Sequence, residues 1–341
     1  MSEEVLVSVA DGIGRLTLNR PEVINALSHR MVEIITEALD AWAEDDAVRL
    51  VLLTGEGDRG LCAGGDIRAI YEDARNGTSG SLDFWREEYR LNNLIATYPK
   101  PYVCVMHGFV LGGGVGISAH GSHRIVTGST QIAMPEVTIG FVPDVGGTHL
   151  LSRRHRELGV HAALTSGRLG PADAITVGLA DHYVPVEQLP AFNDALAGGL
   201  DSAVAAFAVQ PPAGSYPEQA SWIDTCYAAD TVEEILERLD AAGETAAASA
   251  ATKIRRASPV AVKVTLRALR EAAELDSLTD ALNAEYGIAA VALRSHDFPE
   301  GVRAQIVDKD RTPSWQPPTL AEVDDAVVAS YFAPTSNLPF P

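Results

Sequence analysis

Residues 4–19 alternate between apolar and polar positions on both sides of a central Asp11-Gly12 pair. Alternation with a period of two is typical of a strand that buries one face, and an Asp-Gly pair favours the tight turn of a hairpin. We therefore predict a β-hairpin at the start of the chain.

After this hairpin the apolar positions change to a helical spacing. They lie three or four residues apart, at Met31, Val32, Ile35, Leu39 and Trp42. Ser28 precedes them, and its hydroxyl is suited to accept a hydrogen bond from an N–H group of the first turn. A helix is therefore predicted to begin at this serine.

A strand, a glycine-rich loop and a helix then follow one another twice. Val48–Thr54, apolar on both faces like a strand inside a sheet, leads through Gly64-Gly65 to a helical pattern. Tyr102–Met106 leads through Gly112–Gly114 to a second helical pattern near residues 115–120. We interpret these repeated segments as ββα units. Successive units of this kind predict an α/β fold that is built as a layered spiral.

Helical patterns dominate the second half of the chain. Residues 231–256 and 259–275 are each predicted to be helical, and residues 208–222, with several Pro, Gly and Ser, are predicted to form a linker. Two regions result: a spiral core with the active site at residues 1–185, and a mainly helical C-terminal region at residues 186–341.

The balance of charge limits the classes of partner. The chain has 26 basic and 46 acidic residues, for a formal net charge of −20. Such a surface repels nucleic acid and anionic membranes over about a Debye length, so we expect neither as a partner.

Three widely spaced cysteines disfavour a disulfide scaffold. Without a secretory pattern or an apolar run of membrane-spanning length, the chain is predicted to be cytoplasmic.

Two glycine-rich loops are the strongest chemical feature, Ala63-Gly64-Gly65-Asp66 and Gly112-Gly113-Gly114. Each follows a predicted buried strand and precedes a predicted helix. A glycine turn that enters a helix presents unpaired N–H groups, and two such groups can bind a developing oxyanion. The alternative for either loop is a tight turn that lets a helix pack closely against a strand.

A dinucleotide-binding loop is a second alternative, because Gly114-Val115-Gly116-Ile117-Ser118-Ala119 fits the loose G-x-G-x-x-A pattern. Two features disfavour it. The preceding strand ends near Met106, well before the pattern, and the acidic residue downstream, Glu136, follows Pro135 instead of ending an apolar strand.

Two carboxylates, Glu136 and Asp144, lie in apolar segments that also contain proline and glycine. Burial in such surroundings shifts the pKa of a carboxyl group, which suits a general base or a nucleophile. A structural alternative for Asp144 is to accept hydrogen bonds from nearby N–H groups in a turn.

Glu88 follows Glu87 on a predicted helix, where acidic pairs are usually solvated. The histidines show no zinc-ligand spacing, so we expect no metal site.

Several motifs occur in a fixed order between residues 5 and 185. They are Asn19-Arg20-Pro21, Cys62-Ala63-Gly64-Gly65-Asp66, His107-Gly108 with Gly112-Gly113-Gly114, and Pro135-Glu136. In this order they resemble the crotonase (enoyl-CoA hydratase/isomerase) superfamily. A second series resembles the 3-hydroxyisobutyryl-CoA hydrolases within it, and consists of Glu87-Glu88-Tyr89, Pro143-Asp144-Val145-Gly146-Gly147 and Glu300-Gly301-Val302-Arg303-Ala304.

The resemblance implies a role for each candidate residue. The N–H groups of Gly65 and Gly113 would form an oxyanion hole for a thioester carbonyl. Glu136 would act as nucleophile or as general base for water, and Asp144 would bind and orient the acyl group. Glu88 would line the acyl pocket. Glu88, Gly113, Glu136 and Asp144 would therefore bind the substrate, and no cofactor is expected because coenzyme A is part of the substrate.

One position separates the reactions within the superfamily. Its hydratases typically use two glutamates, one shortly after the glycine triplet and one in the Pro-Glu segment. The first of these positions is Gly116 here, so that glutamate is missing, whereas Glu136 is present. Loss of one of two carboxylates disfavours the addition of water to a double bond and favours hydrolysis.

We therefore predict an enzyme that hydrolyses a short branched hydroxyacyl-CoA thioester, 3-hydroxyisobutyryl-CoA in valine breakdown. The alternatives are an enoyl-CoA hydratase or isomerase and a non-catalytic acyl-CoA-binding protein. The resemblance also implies a homo-trimer or hexamer. The coenzyme A phosphates would need basic residues nearby, and the candidates are Arg20, Arg68, Lys100, Lys253, Arg255, Arg256 and Lys263.

Overall fold

The computed structural model describes residues 3–153 and 156–341. Within these residues the strands are β1 (Val5–Ala10), β2 (Ile13–Leu18), β3 (Leu50–Gly55), β4 (Tyr102–Met106), β5 (Phe109–Leu111), β6 (His123–Val126), β7 (Gln131–Ala133) and β8 (His182–Tyr183).

The α-helices of the described residues are α1 (His29–Ala43), α2 (Ile67–Asn76), α3 (Gly80–Ala96), α4 (Gly113–Gly116), α5 (Gly147–Arg153), α6 (Arg156–Thr165), α7 (Pro171–Val177), α8 (Leu189–Ala195), α9 (Leu200–Phe207), α10 (Tyr216–Tyr227), α11 (Val232–Ala241), α12 (Thr245–Arg256), α13 (Pro259–Ala272), α14 (Leu278–Ala292), α15 (Asp297–Val302) and α16 (Asp325–Ser330). Short 3₁₀ helices cover Pro21–Val23, Glu136–Ile139, Val186–Gln188, Leu196–Gly198 and Leu320–Glu322, and a π-helix covers Arg303–Val307. No helix among the described residues is long and apolar enough to cross a membrane.

The described residues fall into two compact units that interleave along the chain. The first consists of Met1–Gly65, Arg90–Ile132 and Arg168–Ser215, and the second of Asp66–Tyr89, Ala133–Gly167 and Tyr216–Pro341. This division differs from the boundary that we predicted at residue 185, because each unit takes segments from both sides of it. Sequence patterns follow the order of the chain, whereas compact units depend on contacts between distant segments.

A six-stranded sheet organises the first unit, in the order β1-β2-β3-β4-β6-β8. β1 and β2 are antiparallel and the other neighbours are parallel. The predicted hairpin is confirmed. Its turn places Asp11 at φ 55° and Gly12 at φ 79°, the two left-handed residues that a tight hairpin turn requires.

Helices cover both faces of this sheet. On one face, Gly14 leaves room for the ring of Trp42 in α1, since a Cβ there would lie 2.6 Å from the ring. Ser28 caps α1 as predicted, accepting from the Met31 N–H at 3.1 Å. On the other face α8 and α9 pack on a buried cluster that includes Leu52. Burial on both faces explains the continuous apolar runs of β3 and β4.

The second unit is built from helices around short turns. One of these turns is the 3₁₀ segment Glu136–Ile139, which packs directly against α15. Two glycines make this approach possible. A Cβ at Gly140 would lie 2.4 Å from the backbone of Asp297, and a Cβ at Gly301 would lie 2.4 Å from the backbone of Ile139.

Three element predictions need correction. The predicted linker 208–222 is wrong in its second half, where α10 begins at Tyr216. The predicted helix 231–256 is two helices, α11 and α12, because Gly243 between them adopts a left-handed φ of 76°. The helix expected near residues 115–120 is only the short α4, which starts within the glycine triplet.

Candidate active site

The two glycine-rich loops lie side by side in the first unit. The Leu111 N–H donates to the Cys62 carbonyl at 3.0 Å, and the Cys62 N–H donates to the Phe109 carbonyl at 3.2 Å. A Cβ at Gly114 would lie 2.7 Å from the Cys62 carbonyl oxygen, so a larger residue would push the loops apart. The close-packing function that we considered for these glycines is therefore present.

The Gly65 N–H group is directed by the peptide bond that precedes it. The Gly64 carbonyl accepts from the Leu27 N–H at 2.8 Å. In a trans peptide the C=O and N–H groups point in opposite directions, so the Gly65 N–H points away from Leu27. Gly64 adopts a φ of 101°, which explains why glycine is required there.

The Gly113 N–H group is directed in the same way. The Gly112 carbonyl accepts from the Val115 N–H at 2.8 Å, inside the first turn of α4. The Gly113 N–H therefore points out of the beginning of that helix and has no acceptor within it. A Cβ at Gly64 would lie 3.7 Å from the Gly113 nitrogen. The first unit thus holds two neighbouring backbone donors suited to a developing oxyanion.

Gly116 closes the short helix α4 and is buried. Its N–H donates to the Gly112 carbonyl at 3.2 Å. Without a side chain it supplies no carboxylate beside the glycine triplet.

The second unit brings together the three predicted acids. Glu88 lies on α3, Glu136 begins the 3₁₀ turn, and Asp144 lies in the loop before α5. All three are buried, with at most 6% of each residue exposed. Asp144 interacts electrostatically with both glutamates. The interpretation of Glu88 as a solvated helix residue is therefore wrong, because the stripe that includes Trp85 and Tyr89 turns this face of α3 inward.

Burial dominates the protonation of these groups. It raises the pKa of Glu88 and Glu136 well above the ordinary value of 4.5, and the Asp144 charge raises both further. Burial raises the pKa of Asp144 to about 7, although the hydrogen bond from Tyr89 opposes the rise. That bond runs from the Tyr89 hydroxyl to Asp144 Oδ2 at 2.8 Å. Asp144 can therefore exchange a proton near neutral pH.

Two carboxyl oxygens in this group have no hydrogen-bond partner within the described residues. They are Oε1 of Glu88 and Oε2 of Glu136, and both are buried. Buried polar atoms are nearly always paired in native proteins. An unpaired oxygen in a site of this kind is suited to bind a substrate hydroxyl or a water molecule.

Aromatic rings pack together on the segments that carry the acids. Trp85, one turn before Glu88 on α3, stacks on Phe141 with ring centroids 5.4 Å apart. Phe141 also contacts Phe298 of α15 at 5.1 Å. Such rings displace water, which raises the free energy of a charged carboxylate nearby.

A fourth buried acid, Glu285 on α14, was missed by the sequence analysis. Its Oε2 accepts from the Gly146 N–H at 2.7 Å and its Oε1 from the Thr148 N–H at 2.9 Å. Burial raises its pKa to about 8, against the effect of these donors. A signal was available: Ala281, Leu282 and Ile288 surround Glu285 at helical spacing, which places it on the apolar face. We refer to Glu88, Glu136, Asp144 and Glu285 as the carboxyl cluster.

Several candidates for binding coenzyme A phosphates already have protein partners. Lys100 Nζ donates to the carbonyl of Asp45 at 2.7 Å. Lys263 pairs with Glu233, and Arg255 pairs with Asp240. These contacts already occupy the charged groups of the three side chains, which disfavours them as phosphate ligands.

Comparison with known proteins supports the family resemblance seen in the sequence, and it does so over almost the whole chain. Residues 13–332 match the family described as enoyl-CoA hydratase/isomerase. The curated relative from Gallus gallus named 3-hydroxyisobutyryl-CoA hydrolase, mitochondrial, is 38% identical, covering 98% of this chain and 90% of its own length. The relative of the same name from Homo sapiens is 37% identical, covering 97% and 89%.

Two solved structures are similar over their full length. One, described as a carnitinyl-CoA dehydratase from Mycobacterium thermoresistibile, is 53% identical with a TM-score of 0.96, covering 99% of this chain and 98% of its own. The other, described as an enoyl-CoA hydratase from Rhodobacter sphaeroides, is 43% identical with a TM-score of 0.92, covering 97% and 98%. The predicted crotonase-type α/β fold is confirmed. The names of these proteins describe different reactions, but each name refers to an acyl-CoA substrate.

Proposed function

The chain belongs to the enoyl-CoA hydratase/isomerase family, the crotonase superfamily, and we propose that its reaction is the hydrolysis of a short branched hydroxyacyl-CoA thioester. The proposed substrate is 3-hydroxyisobutyryl-CoA, which water cleaves to 3-hydroxyisobutyrate and free coenzyme A. Curated relatives of that name, similar over nearly the whole chain, support the substrate. The observation that carries hydrolysis over hydration is Gly116, where the family's hydratases typically have a catalytic glutamate.

In the proposed reaction the acyl carbon is attacked and the thiolate leaves. Glu136 either attacks the acyl carbon itself, giving an anhydride that water then cleaves, or removes a proton from the attacking water. The N–H groups of Gly65 and Gly113 stabilise the negative charge on the carbonyl oxygen, and each donor of this kind contributes about 3 kcal/mol. This pairing of the loops with Glu136 follows from membership of the family.

Asp144 and Glu88 are assigned to the acyl group of the substrate. A protonated carboxyl group can donate a hydrogen bond and an ionised one can accept, so raised pKa values let these residues bind a hydroxyl group in either sense. The unpaired Oε1 of Glu88 supports this role. A hydroxyl on the acyl chain would then be recognised by polar groups that lack a partner when the hydroxyl is missing. Coenzyme A enters as part of the substrate, and no step of the proposed reaction uses a metal or a redox cofactor.

A hydratase or dehydratase is the second candidate function, and the 53% identical structure described as a carnitinyl-CoA dehydratase favours it. Adding or removing water across a double bond requires one group to handle water and another to handle the proton on carbon. Glu136 is available for one of these tasks. Because residue 116 is a glycine, the second task lacks its usual carboxylate. We therefore rank this function below hydrolysis.

Purified protein separates the two candidates. We expect thiol release from 3-hydroxyisobutyryl-CoA, measured with a thiol reagent, to exceed by far the addition of water to crotonyl-CoA, measured by loss of absorbance of the double bond. Comparable release from isobutyryl-CoA, which lacks the hydroxyl, would contradict the role of Glu88 and Asp144. Dominant hydration would show that Gly116 does not decide the reaction.

A variant of Glu136 tests the catalytic assignment. Glu136→Gln keeps the shape of the side chain and removes its base and nucleophile, so we expect kcat to fall by about 10²–10⁴-fold. Binding of the CoA thioester, measured by calorimetry, should persist. Glu218→Gln on the exposed surface of α10 is the matched control and should leave kcat unchanged. Full activity of Glu136→Gln would remove this residue from the mechanism.

The biological setting follows from the substrate. A role in valine breakdown remains a prediction, as does a trimeric or hexameric assembly. The curated relatives are named as mitochondrial proteins, so our prediction of a cytoplasmic location lacks support from them.

A further inference from the structure

We propose that Glu285 is a positioning residue for the reaction, and that it acts by holding the turn that carries Asp144. The inference rests on the proposed function, because it assigns the Asp144 carboxyl group to the substrate. We define the Asp144 turn as residues 144–148, which lead from Asp144 into the first residues of α5.

Glu285 binds the Asp144 turn through both oxygens of its side chain. Oε2 accepts from the Gly146 N–H at 2.7 Å, and Oε1 accepts from the Thr148 N–H at 2.9 Å and from the Thr148 hydroxyl. All three bonds are buried, and Glu285 lies 139 positions after Gly146 and 137 positions after Thr148 along the chain. Three hydrogen bonds from one turn to a single side chain restrict the movement of that turn.

The Asp144 turn needs such support because its backbone is strained. Val145 adopts a φ of 53°, and Gly146 follows with a φ of 78°. A left-handed conformation is unusual for a β-branched residue and places strain on the backbone. The conformation persists only when surrounding contacts enforce it. The Glu285 side chain accepts from the Gly146 and Thr148 N–H groups, which lie one and three positions after this strained residue.

The neighbour of Glu285 supports the same acid from a second side. Tyr286 packs edge-on against Tyr89, with ring centroids 6.3 Å apart and planes at 83°. Tyr89 in turn donates its hydroxyl to Asp144 Oδ2. One turn of α14 therefore fixes both the backbone beside Asp144 and the tyrosine that holds its side chain.

A purely structural role could be filled without a buried acid. Placing a carboxyl group where 1% of the residue is exposed costs free energy, and it also raises the pKa of Glu136 through like charge. Glu285 is thus linked to the Asp144 turn by geometry and to Glu136 by charge. A positioning residue of this kind should affect both the rate and its dependence on pH.

Glu285→Gln tests the proposal with little change of shape. The amide keeps one acceptor oxygen, but its NH₂ group faces an N–H donor of the turn. We expect kcat for thioester hydrolysis to fall about ten- to a hundredfold, since a buried N–H group left without an acceptor and a misplacement of about 1 Å have effects of this size. KM should change less. Glu274→Gln, an exposed glutamate shortly after α13, is the matched control.

The pH profile separates positioning from a general loss of structure. The titrating groups that face one another here are Glu88 and Tyr89 of α3, Glu136, Asp144 and Glu285. Removing the Glu285 charge lowers the pKa of Glu136, so the acid limb of the kcat profile should move to lower pH. An unchanged profile together with unchanged kcat would overturn the proposal.

Thr148→Val gives a second test if Glu285→Gln folds poorly. It removes one of the three donors and keeps the carboxylate, so kcat should fall less than in Glu285→Gln while the protein remains folded by circular dichroism. Wild-type kcat in Thr148→Val, with a lower melting temperature, would show a structural role only. If the wild-type protein hydrolyses no thioester, the proposed function fails by itself, and the same variants are then compared in the hydration assay.

Discussion

At the residue scale, the carboxyl cluster supports the proposed reaction but lowers the stability of the folded protein. Four acids are buried together, and burial raises the pKa of each of them. Groups at a catalytic site are commonly perturbed in this way, because a base must hold and release protons near the working pH. A folded protein gains nothing from such an arrangement, since an apolar residue of the same size would be easier to bury.

Glu88→Gln should therefore stabilise the protein and impair its reaction. The raised pKa means that the unfolded chain loses the Glu88 proton at lower pH than the folded chain, so stability is lost as pH rises above the ordinary value of 4.5. The variant avoids about 1.4 kcal/mol of this loss for each pH unit until the folded group ionises.

Thermal melting at several pH values measures this effect. The midpoint of Glu88→Gln should exceed that of the wild type at pH 7–8, and the two should converge near pH 4. Thiol release should fall, with the larger effect on KM if Glu88 binds the acyl group. A variant that is less stable than the wild type at pH 8 would show that Glu88 has a stabilising partner.

At the element scale, the turn that begins at Glu136 depends on α15. Gly301 lets this helix approach so closely that a Cβ would lie 2.4 Å from the Ile139 carbonyl carbon. Backbone atoms cannot move aside as a flexible side chain can. The segment Glu300–Ala304, which our sequence comparison singled out, therefore has a physical function in supporting the candidate site.

Gly301→Ala should separate the two elements. We expect a loss of about 1–3 kcal/mol in the free energy of unfolding, the usual cost of forcing extra volume into a packed site. The value of kcat should fall as well, because the turn carries Glu136. Gly198→Ala, where nothing lies within 4 Å of the new Cβ, is the control and should be neutral or slightly stabilising. Equal melting midpoints for both variants would contradict this packing argument.

The elements also show how far the sequence could predict the structure. The hairpin and the start of α1 follow from local rules, a period of two with Asp-Gly and a serine before a helical stripe. The beginning of α10 does not follow from local rules. Pro217 and the nearby Gly and Ser favour a loop, and a helix forms only because distant contacts bury Tyr216 and Ile223. Local patterns contain no information about such contacts.

The candidate site shows the same limit. Glu136 and Asp144 were identified by their apolar surroundings in the sequence, and their burial is confirmed. Glu285 lies 141 positions after Asp144, in a helix that has no motif, and only its place on an apolar stripe marks it. The family resemblance assigned Glu88 to the acyl pocket, whereas its helix pattern alone suggested a solvated residue.

At the scale of the whole molecule, two sets of acids give stability an unusual dependence on pH. Within the carboxyl cluster, the pKa of Asp144 rises from 3.8 to about 7 and that of Glu285 from 4.5 to about 8, both because of burial. Elsewhere, hydrogen bonds lower the pKa of Asp73 and Asp181 below 3.8, against the effect of burial.

The signs of these shifts are opposite. A raised pKa means that the folded state binds more protons than the unfolded state, so Asp144 and Glu285 reduce stability as pH rises from about 4 to 8. A lowered pKa gives Asp73 and Asp181 a contribution that is present above 3.8 and is lost as pH falls further. The net charge of −20 adds repulsion at neutral pH. Stability should therefore be greatest at about pH 5, on the acid side of neutrality.

Thermal midpoints at constant ionic strength from pH 3 to 9 test this expectation. We expect a maximum near pH 5, a steep fall on the acid side and a gradual fall towards pH 8. Glu88→Gln should flatten the gradual fall, whereas Glu218→Gln, the same substitution on the exposed surface of α10, should leave its slope unchanged. A midpoint that rises steadily to pH 8 would show that the buried acids titrate near their ordinary values, and the cluster could then not act as proton donor and acceptor at neutral pH.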